Sequence, residues 1–205
     1  MKQIIFATGN AGKMKEIREI LNETGWNVLS LKDAGIDADI EENGTTFEEN
    51  AKIKAEGIRN WCLENGIPRC SGISAKEIIV LADDSGLEID WLGGEPGIYS
   101  ARYMGHETSY REKNANLISR LDGVPKEKRT ARFVCAIAAA LPDGNSLVTR
   151  GTIEGYIGWE ECGSNGFGYD PIFYLPERGC TTAELPPEEK NSISHRGNAL
   201  RLMKE

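Results

Sequence analysis

The sequence has few of the residues on which many metal and redox sites depend. It contains two histidines and five cysteines among 205 residues, and no two cysteines have the C-x-x-C spacing. Because the number of cysteines is odd and that spacing is missing, neither a zinc cluster nor a disulfide framework is indicated. We expect buried thiols in a reducing compartment. The cysteines are Cys62, Cys70, Cys135, Cys162 and Cys180.

Positive charge is also scarce. The chain has 24 Lys and Arg against 32 Asp and Glu, which gives a formal net charge of −8. Extended binding to a nucleic-acid backbone needs clustered cations, so a long nucleic acid is an unfavourable partner. A small phosphorylated ligand stays compatible with this charge, because a few local cations and a divalent metal are enough to hold it.

Long apolar runs are missing as well. The run in MKQIIFATGN is far too short for a signal peptide, and no stretch approaches membrane-spanning length. Hydrophobic residues make 40% and charged residues 27% of the chain, which is ordinary for a compact globular protein. We therefore expect a cytoplasmic protein in which residues 1–205 form one folded unit, either a large domain or two closely packed lobes.

Apolar periodicity predicts interleaved strands and helices. Strands are expected at Gln3–Ala7, in EIIVLA, in LEIDWL, and as a hairpin with its turn at Pro142–Gly144. Helices are expected in MKEIREILNE, in FEENAKIKAEGIRNWCLEN with the capping-box pair Thr46 and Glu49, from Tyr110 to Leu121 with the pair Ser109 and Glu112, and from Ser194 to Met203. ELPPEEK is expected to be a loop. Because the predicted strands and helices do not alternate as regular βαβ units, their order favours an α/β or α+β sheet of mixed direction.

A glycine loop, TGNAGK, joins the first predicted strand to a helix that begins with Lys13. Backbone amides at a helix start, together with a cation, are suited to holding phosphate oxygens. The loop is not a Walker motif, because Ala7 and Met14 stand where glycine and Ser or Thr are required. Taken alone, this segment is about equally compatible with a phosphate-binding loop and with a plain strand-to-helix turn.

Two acidic segments are candidates for a hard-metal site. In LADDSGLEID, Asp83 and Asp84 follow an apolar run, and alternation along a strand would turn only one of them toward a cleft. The EENG segment, residues 41–44, is a second acidic loop, and the two together offer oxygen ligands for Mg²⁺. Two solvated acidic turns are the alternative interpretation.

Two later segments are candidates for ligand recognition. GSNGFGYDPIF is rich enough in glycine to lay the Phe167 ring against a flat ligand, with Asp170 as an acceptor for ring N–H groups. KNSISHRGNAL places His195 and Arg196 at a predicted helix start, where they can donate to a carbonyl oxygen or a phosphate. A β-bulge with Phe167 in the core, and an N-cap followed by solvated charges, are the alternatives.

Six segments in order, TGNAGK, TFEENAKIKA, ADDSGLEID, GGEPGIYSARY, GFGYDPIF and ISHRGNAL, closely resemble the inosine triphosphate pyrophosphatase family. The resemblance extends from Ile4 to Leu202. The sequence differs from the usual family pattern at Asn43 and Asn165, neither of which is given a chemical role.

The resemblance implies a two-lobed α/β fold around a long curved mixed sheet with flanking helices, and an active site in the cleft between the lobes. It implies a homodimeric enzyme that uses Mg²⁺ to hydrolyse ITP, dITP and XTP to the monophosphate and pyrophosphate. Such an enzyme would remove deaminated purines from the nucleotide pool.

The resemblance also assigns roles to individual residues. Asp84 would be the base that activates water and would share the metal with Glu42, although Glu41 is an alternative ligand. We expect nearby Mg²⁺ and lysines to keep the pKa of Asp84 low, and His195 and Arg196 to donate to the purine O6. The residues expected to bind substrate are Thr8, Gly9, Asn10, Ala11, Gly12, Lys13, Lys54, Ser85, Phe167, Gly168, Tyr169, Asp170, Lys190, His195 and Arg196.

Three other functions are weighed against this one. A related pyrophosphatase acting on other modified nucleotides or on pyrimidines is less compatible with GFGYDP and SHRG. A nucleotide sensor without turnover would not need the set of Lys13, Glu42 and Asp84. A scaffold protein would leave the glycine-flanked polar clusters unexplained.

Overall fold

The computed structural model describes residues 3–70 and 74–203. Its strands are β1 (Gln3–Phe6), β2 (Asn27–Ser30), β3 (Ile79–Ile89), β4 (Thr130–Ala140), β5 (Ser146–Ile157), β6 (Phe173–Leu175) and β7 (Cys180–Thr181). Its α-helices are α1 (Ala11–Leu21), α2 (Leu31–Ala34), α3 (Phe47–Asn65), α4 (Tyr110–Arg120), α5 (Pro187–Ile193) and α6 (His195–Met203).

The strands form a mixed sheet in the order β2-β1-β3-β4-β5-β6-β7. Strand β1 pairs in parallel with both β2 and β3, whereas β6 pairs antiparallel with β5 and β7. Strands β4 and β5 form the predicted hairpin, in which the Gly144 N–H donates to the Leu141 carbonyl in the turn. The predicted α/β fold with a mixed sheet and flanking helices is confirmed.

The chain divides into two compact units. The first contains the described residues up to Asp84, then Cys135–Gly151 and the residues from Arg196 onward. The second contains Ser85–Val134 and Thr152–His195. The chain therefore passes from one unit to the other at four places.

Each unit has its own apolar core. In the first unit, α1 packs its apolar stripe against β1, and Ile17 and Phe6 are fully buried there. In the second, Leu117 of α4 and Phe173 of β6 are fully buried, and the Phe133 and Phe173 rings lie 4.3 Å apart between centroids. Burial of such side chains supplies most of the stabilisation of a core, at about 25 cal/mol per Å² of apolar surface.

Strand β3 differs from the prediction. EIIVLA and LEIDWL were expected to be two strands separated by a turn at the aspartates, but β3 runs unbroken from Ile79 to Ile89. The aspartates thus lie in the middle of a strand rather than at its end. Side-chain partners for both carboxylates make this position tolerable.

Three smaller predictions also need correction. ELPPEEK is not all loop, because α5 begins at Pro187, a first-turn position where proline loses no helical hydrogen bond. Helix α1 begins at Ala11 rather than at Lys13. The Thr46 hydroxyl caps α3 as predicted, but the Glu49 carboxylate accepts from the N–H of Thr45. The pair Ser109 and Glu112 does form a complete capping box.

None of the helices within residues 3–70 and 74–203 is both long enough and apolar enough to cross a bilayer.

Candidate active site

The loop between β1 and α1 is built as a helix-start anion site. Asn10 is the N-cap residue of α1, and its side chain accepts from the Lys13 N–H at 3.1 Å. The Asn10 N–H in turn donates to the Thr8 hydroxyl at 3.2 Å. Gly9 borders open space, with no atom within 4 Å of where a Cβ would stand. The predicted substrate-binding loop, residues 8–13, therefore presents the positive end of α1 and the Lys13 side chain together.

Strand β3 turns its two aspartates in opposite directions, as alternation requires. Asp83 is completely buried, whereas Asp84 is partly exposed. Ser85, the next predicted site residue, is also partly exposed and is the first residue of the second unit.

Asp83 lies in a buried cluster of ion pairs. Its Oδ2 is 3.0 Å from the Lys13 ammonium and 3.3 Å from the Arg196 guanidinium. Burial alone would raise the pKa of Asp83, but the charges of Lys13, Arg196 and Lys54 hold it well below its usual range. Arg196 also bonds to the Glu16 carboxylate on α1. This cluster fixes the position of Lys13.

Arg196 therefore has other partners than the predicted purine oxygen. Its side chain is 2% exposed and its guanidinium contacts Glu16 and Asp83, both of the first unit. Two carboxylates satisfy the charge of a buried guanidinium better than a neutral carbonyl would, which is the physical reason for this placement. We accordingly assign Arg196 to the support of the Lys13 loop.

Asp84 is held by an amide from helix α3. The Asn50 Nδ2 donates to the Asp84 Oδ2 at 3.0 Å. Burial, together with the charges of Glu42 and Asp83, raises the pKa of Asp84 to about 6, although the Asn50 hydrogen bond and the Lys13 charge act to lower it. The lysines alone therefore do not keep this pKa low, because desolvation outweighs their charge, and the lowering expected with Mg²⁺ bound stays a prediction.

Helix α3 also positions the acidic loop. The Lys54 ammonium lies 2.6 Å from the Glu42 carboxylate, and both side chains are about one-fifth exposed, at 21% and 23%. Glu41 is exposed to solvent. Since only Glu42 is directed toward α3 and influences the pKa of Asp84, the geometry favours Glu42 over Glu41 as a ligand.

The pair of Glu42 and Asp84 fits a magnesium ion. Among the residues that the structure describes, no three His, Cys, Asp or Glu side chains gather as a metal cluster. Mg²⁺ does not need one, because it is usually held by one or two carboxylates together with waters and substrate phosphates. Two partly buried carboxylates, close enough for the Glu42 charge to raise the pKa of Asp84, offer that donor set.

In the second unit, Asp170 organises the predicted base-binding loop. Its Oδ2 accepts from the Phe167 N–H at 2.8 Å and from the Lys190 ammonium at 2.6 Å. Its Oδ1 accepts from the Thr182 hydroxyl at 2.9 Å. Asp170 is 3% exposed, so the structure makes it a support for Phe167 and Lys190 rather than an acceptor for a purine N–H.

Glycine is required in this loop at Gly166. Its φ is +74°, and a Cβ there would stand 2.2 Å from the Asp170 Oδ2 and 3.0 Å from the Lys190 Nζ. The loop can therefore wrap closely around the Asp170–Lys190 pair. The Lys190 Nζ also lies 5.2 Å from the centroid of the partly exposed Phe167 ring.

The remaining predicted residues of the second unit are spread between the loop and the core. The Tyr169 ring is buried, and its hydroxyl donates to the Ser100 carbonyl at 2.7 Å, so it is a core residue. His195 begins α6 and stacks on the Phe133 ring at 5.0 Å between centroids. Gly168 has a φ of +69° and lies 3.5 Å from the Tyr110 ring, measured from an added Cβ.

Sequence reasoning missed three residues that support the site. These are Asn50, Glu16 and Thr182, all of which are buried. A polar residue on the apolar face of a predicted helix is a usable signal for Asn50, because it falls among Phe47, Ala51 and Ala55 in the α3 pattern. Glu16 and Thr182 have no comparable signal.

Comparison with known proteins yields relatives over the whole chain. The profile of the Ham1 family matches residues 4–205. A dITP/XTP pyrophosphatase of Clostridium perfringens is 47% identical over 205 residues, which is 100% of this chain and 97% of that protein. A dITP/XTP pyrophosphatase of Bacillus subtilis is 46% identical over 203 residues, covering 99% and 96%.

Solved structures give the same result. The Ham1 protein of Staphylococcus aureus superposes with a TM-score of 0.82 at 40% identity, covering 99% of this chain and 96% of that one. A nucleoside-triphosphatase, dITP/XTP pyrophosphatase, from Mycobacterium abscessus superposes with a TM-score of 0.71 at 37% identity, covering 98% of both chains.

Proposed function

Because the chain belongs to the Ham1 family, we propose that it is a nucleoside triphosphate pyrophosphatase that acts on deaminated purine nucleotides. It hydrolyses ITP, dITP and XTP to the monophosphate and pyrophosphate. The dITP/XTP pyrophosphatases that share close to half of its residues over its full length support this assignment. Its role is to remove deaminated purines from the nucleotide pool.

The environment of Asp84 gives the main support for this function. A partly buried carboxylate with a pKa of about 6 lies within the electrostatic influence of Lys13, which belongs to a helix-start anion loop. A general base works best when its pKa is near the working pH, and a phosphate site needs amides and cations. The first unit brings both requirements together.

In the reaction, one bond forms and one breaks at the α-phosphorus. Asp84 accepts a proton from a water molecule while the oxygen of that water bonds to the α-phosphorus. The bond from the α-phosphorus to the bridging oxygen of pyrophosphate breaks. Negative charge grows on the phosphoryl oxygens during this step. Lys13, Lys54 and the amides at the start of α1 lie ready to balance that charge, so they stabilise the transition state more than the substrate.

We propose Mg²⁺ as the cofactor, held by Glu42 and Asp84. When bound, it would neutralise part of the charge on the substrate phosphates. The support for this assignment is the fit of the two carboxylates described above, together with the family resemblance.

We assign recognition of the base to the second unit. Phe167 offers an aromatic face for stacking, and Lys190 and His195 are the donors proposed for the O6 acceptor of hypoxanthine and xanthine. Adenine carries an amino group at that position and would not accept a hydrogen bond from these donors, a mismatch that costs roughly 10⁴-fold in specificity at a hydrogen-bonding site.

A panel of nucleoside triphosphates tests the function. With Mg²⁺ present, we expect dITP, ITP and XTP to yield monophosphate and pyrophosphate, and ATP and dATP to be cleaved more slowly by roughly 10³-fold or more. Release of orthophosphate in place of pyrophosphate, or equal rates with ATP, would contradict the proposal. A protein that binds dITP without turnover would instead be a nucleotide sensor.

We also propose a cytoplasmic homodimer, which rests on the family resemblance. The second unit exposes Trp91 and Trp159 to 51% and 56%, and large aromatic side chains are enriched at protein interfaces. Light scattering after size-exclusion chromatography measures the mass, and a single species of 22.5 kDa would contradict dimerisation.

A further inference from the structure

Asn50 connects the two acidic elements of the site. Its side chain is 1% exposed, although it stands in the first turn of α3 among apolar neighbours. The Asn50 Oδ1 accepts from the Gly44 N–H at 2.8 Å, and its Nδ2 donates to the Asp84 Oδ2 at 3.0 Å. One amide group thus bonds the 41–44 loop on one side and β3 on the other.

The orientation of this amide is determined by its partners. The Gly44 N–H is a donor and the Asp84 carboxylate is an acceptor, so only one of the two possible amide orientations satisfies both. A buried amide with both groups bonded is rigid, because rotation would break two hydrogen bonds away from water.

Gly44 lies too close to Asn50 to carry a side chain without a shift of its neighbours. A Cβ at Gly44 would stand 2.7 Å from the Asn50 Oδ1 and 2.7 Å from the Glu49 Cβ. The loop therefore approaches the amide as closely as a residue without a side chain allows. Any larger residue must displace either the loop or Asn50.

One face of helix α3 contacts both Asp84 and Glu42. Asn50 and Lys54 are separated by four residues, so their side chains lie one turn apart on the same side of the helix. Asn50 bonds to Asp84, and Lys54 pairs with Glu42. The register of α3 consequently fixes the two carboxylates with respect to one another.

We propose that Asn50 is a positioning residue for the hydrolytic reaction. Its amide holds the Asp84 carboxylate at a fixed rotation about the Cβ–Cγ bond and ties it to the loop that carries Glu42. This inference rests on the proposed function, in which Asp84 is the base, and adds to it a residue that contacts neither substrate nor metal. Loss of the bond lets the carboxylate rotate away from the attacking water while the phosphate-binding loop keeps its structure.

The test compares Asn50→Ala with a matched control on the same helix. Ala55→Gly also removes a buried group from α3 and weakens the helix, but Ala55 has no polar contact with either acid. Turnover of dITP is measured with Mg²⁺, the melting temperature by circular dichroism, and binding by calorimetry with a dITP analogue that has a methylene group between the α- and β-phosphorus atoms.

We expect Asn50→Ala to lower kcat by on the order of 10²-fold with analogue affinity within about 2-fold of the wild type, because Lys13 and Lys54 remain. Ala55→Gly should keep kcat within about 2-fold at a comparable melting temperature.

Gly44→Ala gives a second and independent measurement. It displaces either the Asn50 amide or the loop that this amide holds, without altering any group on Asp84, so we expect kcat to fall as it does in Asn50→Ala. The double variant should then lose little more than Asn50→Ala alone, because both substitutions break one shared contact. Multiplied losses in the double variant would show that the two residues act separately and would overturn the link.

The outcomes separate this inference from the function on which it rests. A wild-type protein that releases no pyrophosphate from dITP would overturn the proposed function. If the wild type is active, full turnover by Asn50→Ala overturns the positioning role, and so does a parallel loss of analogue affinity. Equal losses of kcat in Asn50→Ala and Ala55→Gly would reduce Asn50 to a contributor to stability.

Discussion

Asp83 and Asp84 are adjacent in the chain and have opposite electrostatic surroundings. Asp83 is fully buried, yet the cations Lys13 and Arg196 keep its pKa low. Around Asp84, burial outweighs the charge of Lys13 and raises the pKa to about 6. Strand alternation alone produces this division, so one carboxylate stabilises the loop and the other is available as a base.

The pH dependence of turnover should report Asp84. A base acts as its carboxylate, so kcat/KM at low Mg²⁺ is expected to fall as the pH drops below about 6, the pKa of that group. Because a cation competes with the proton, raising the Mg²⁺ concentration should move this limb to lower pH. Stopped assays of pyrophosphate release across the pH range measure both effects.

Asp84→Asn is the control for this profile. It should lose about 10²–10⁴-fold in turnover at every pH, without loss of stability in urea, because the amide replaces a desolvated carboxylate. A pH-independent rate in the wild type, or near-normal turnover in the variant, would contradict the assignment.

Asp83→Asn should instead destabilise the fold. Removing one partner from a buried pair leaves an uncompensated charge, which costs about 3–5 kcal/mol. The pKa of Asp83 is lowered on folding from an ordinary value of 3.8, so its contribution is present above that pH and is lost as the pH falls toward the folded value. Urea unfolding of wild type and variant should therefore differ at pH 7 and converge in acid, and an equal difference at both would exclude the ion-pair explanation.

At the scale of elements, the sequence predicts four helices and the strands β1, β4 and β5, but it misses the short elements β2, α2, β6, β7 and α5 and the course of β3. Asp and Gly are depleted in strands and Ser is common in turns, so DDSG indicates a turn when only local preference is considered. The strand continues because Asp83 and Asp84 find partners on α1, α3 and α6, which are distant in sequence. The same limitation explains Arg196, whose position beside Glu16 depends on packing across 180 residues.

Candidate site residues were predictable where a motif places them in a loop, and less so where burial decides. Lys13, Glu42 and Asp84 lie together in the first unit, and the roles that the resemblance implies for them stay predictions. Tyr169 was expected at the ligand and is a core residue, because its ring packs on Tyr110 at 5.2 Å between centroids. No local pattern distinguishes a buried tyrosine from one that lines a pocket.

The base-binding loop provides a test at this scale. Gly166→Ala should raise the KM for dITP and lower stability by more than about 1 kcal/mol, because its Cβ would displace the Asp170–Lys190 pair. Gly179→Ala is the matched control, since Gly179 has a similar φ of +64° but no atom within 4 Å of a Cβ. Backbone strain is common to both variants, so equal effects on KM would show that close packing at Gly166 is unimportant.

At the scale of the whole molecule, the five thiols are free among the described residues, and two of them are deeply buried. Burial raises the pKa of Cys62 to about 11 and that of Cys135 to about 12. Thiolates are the reactive species, so both should resist modification while the protein is folded.

Thiol labelling measures this protection. We expect a colorimetric disulfide reagent to modify at most Cys70, Cys162 and Cys180 in the native protein, and all five thiols in denaturant. Cys135→Ala should leave the native number unchanged and lower the denatured number by one. Rapid native labelling of all five would contradict the burial of Cys62 and Cys135 in the first unit.

The route of the chain between the two units limits how this protein can be divided. Three of the four passages fall within β3, β4 and β5, and the last separates His195 from Arg196 in α6. Neither unit is encoded by one continuous stretch of gene, so no single cut gives two fragments that each carry one complete unit. A single crossover between two relatives would therefore mix the parental sequences within at least one unit, and neither unit can be transferred to a fusion protein as one uninterrupted segment.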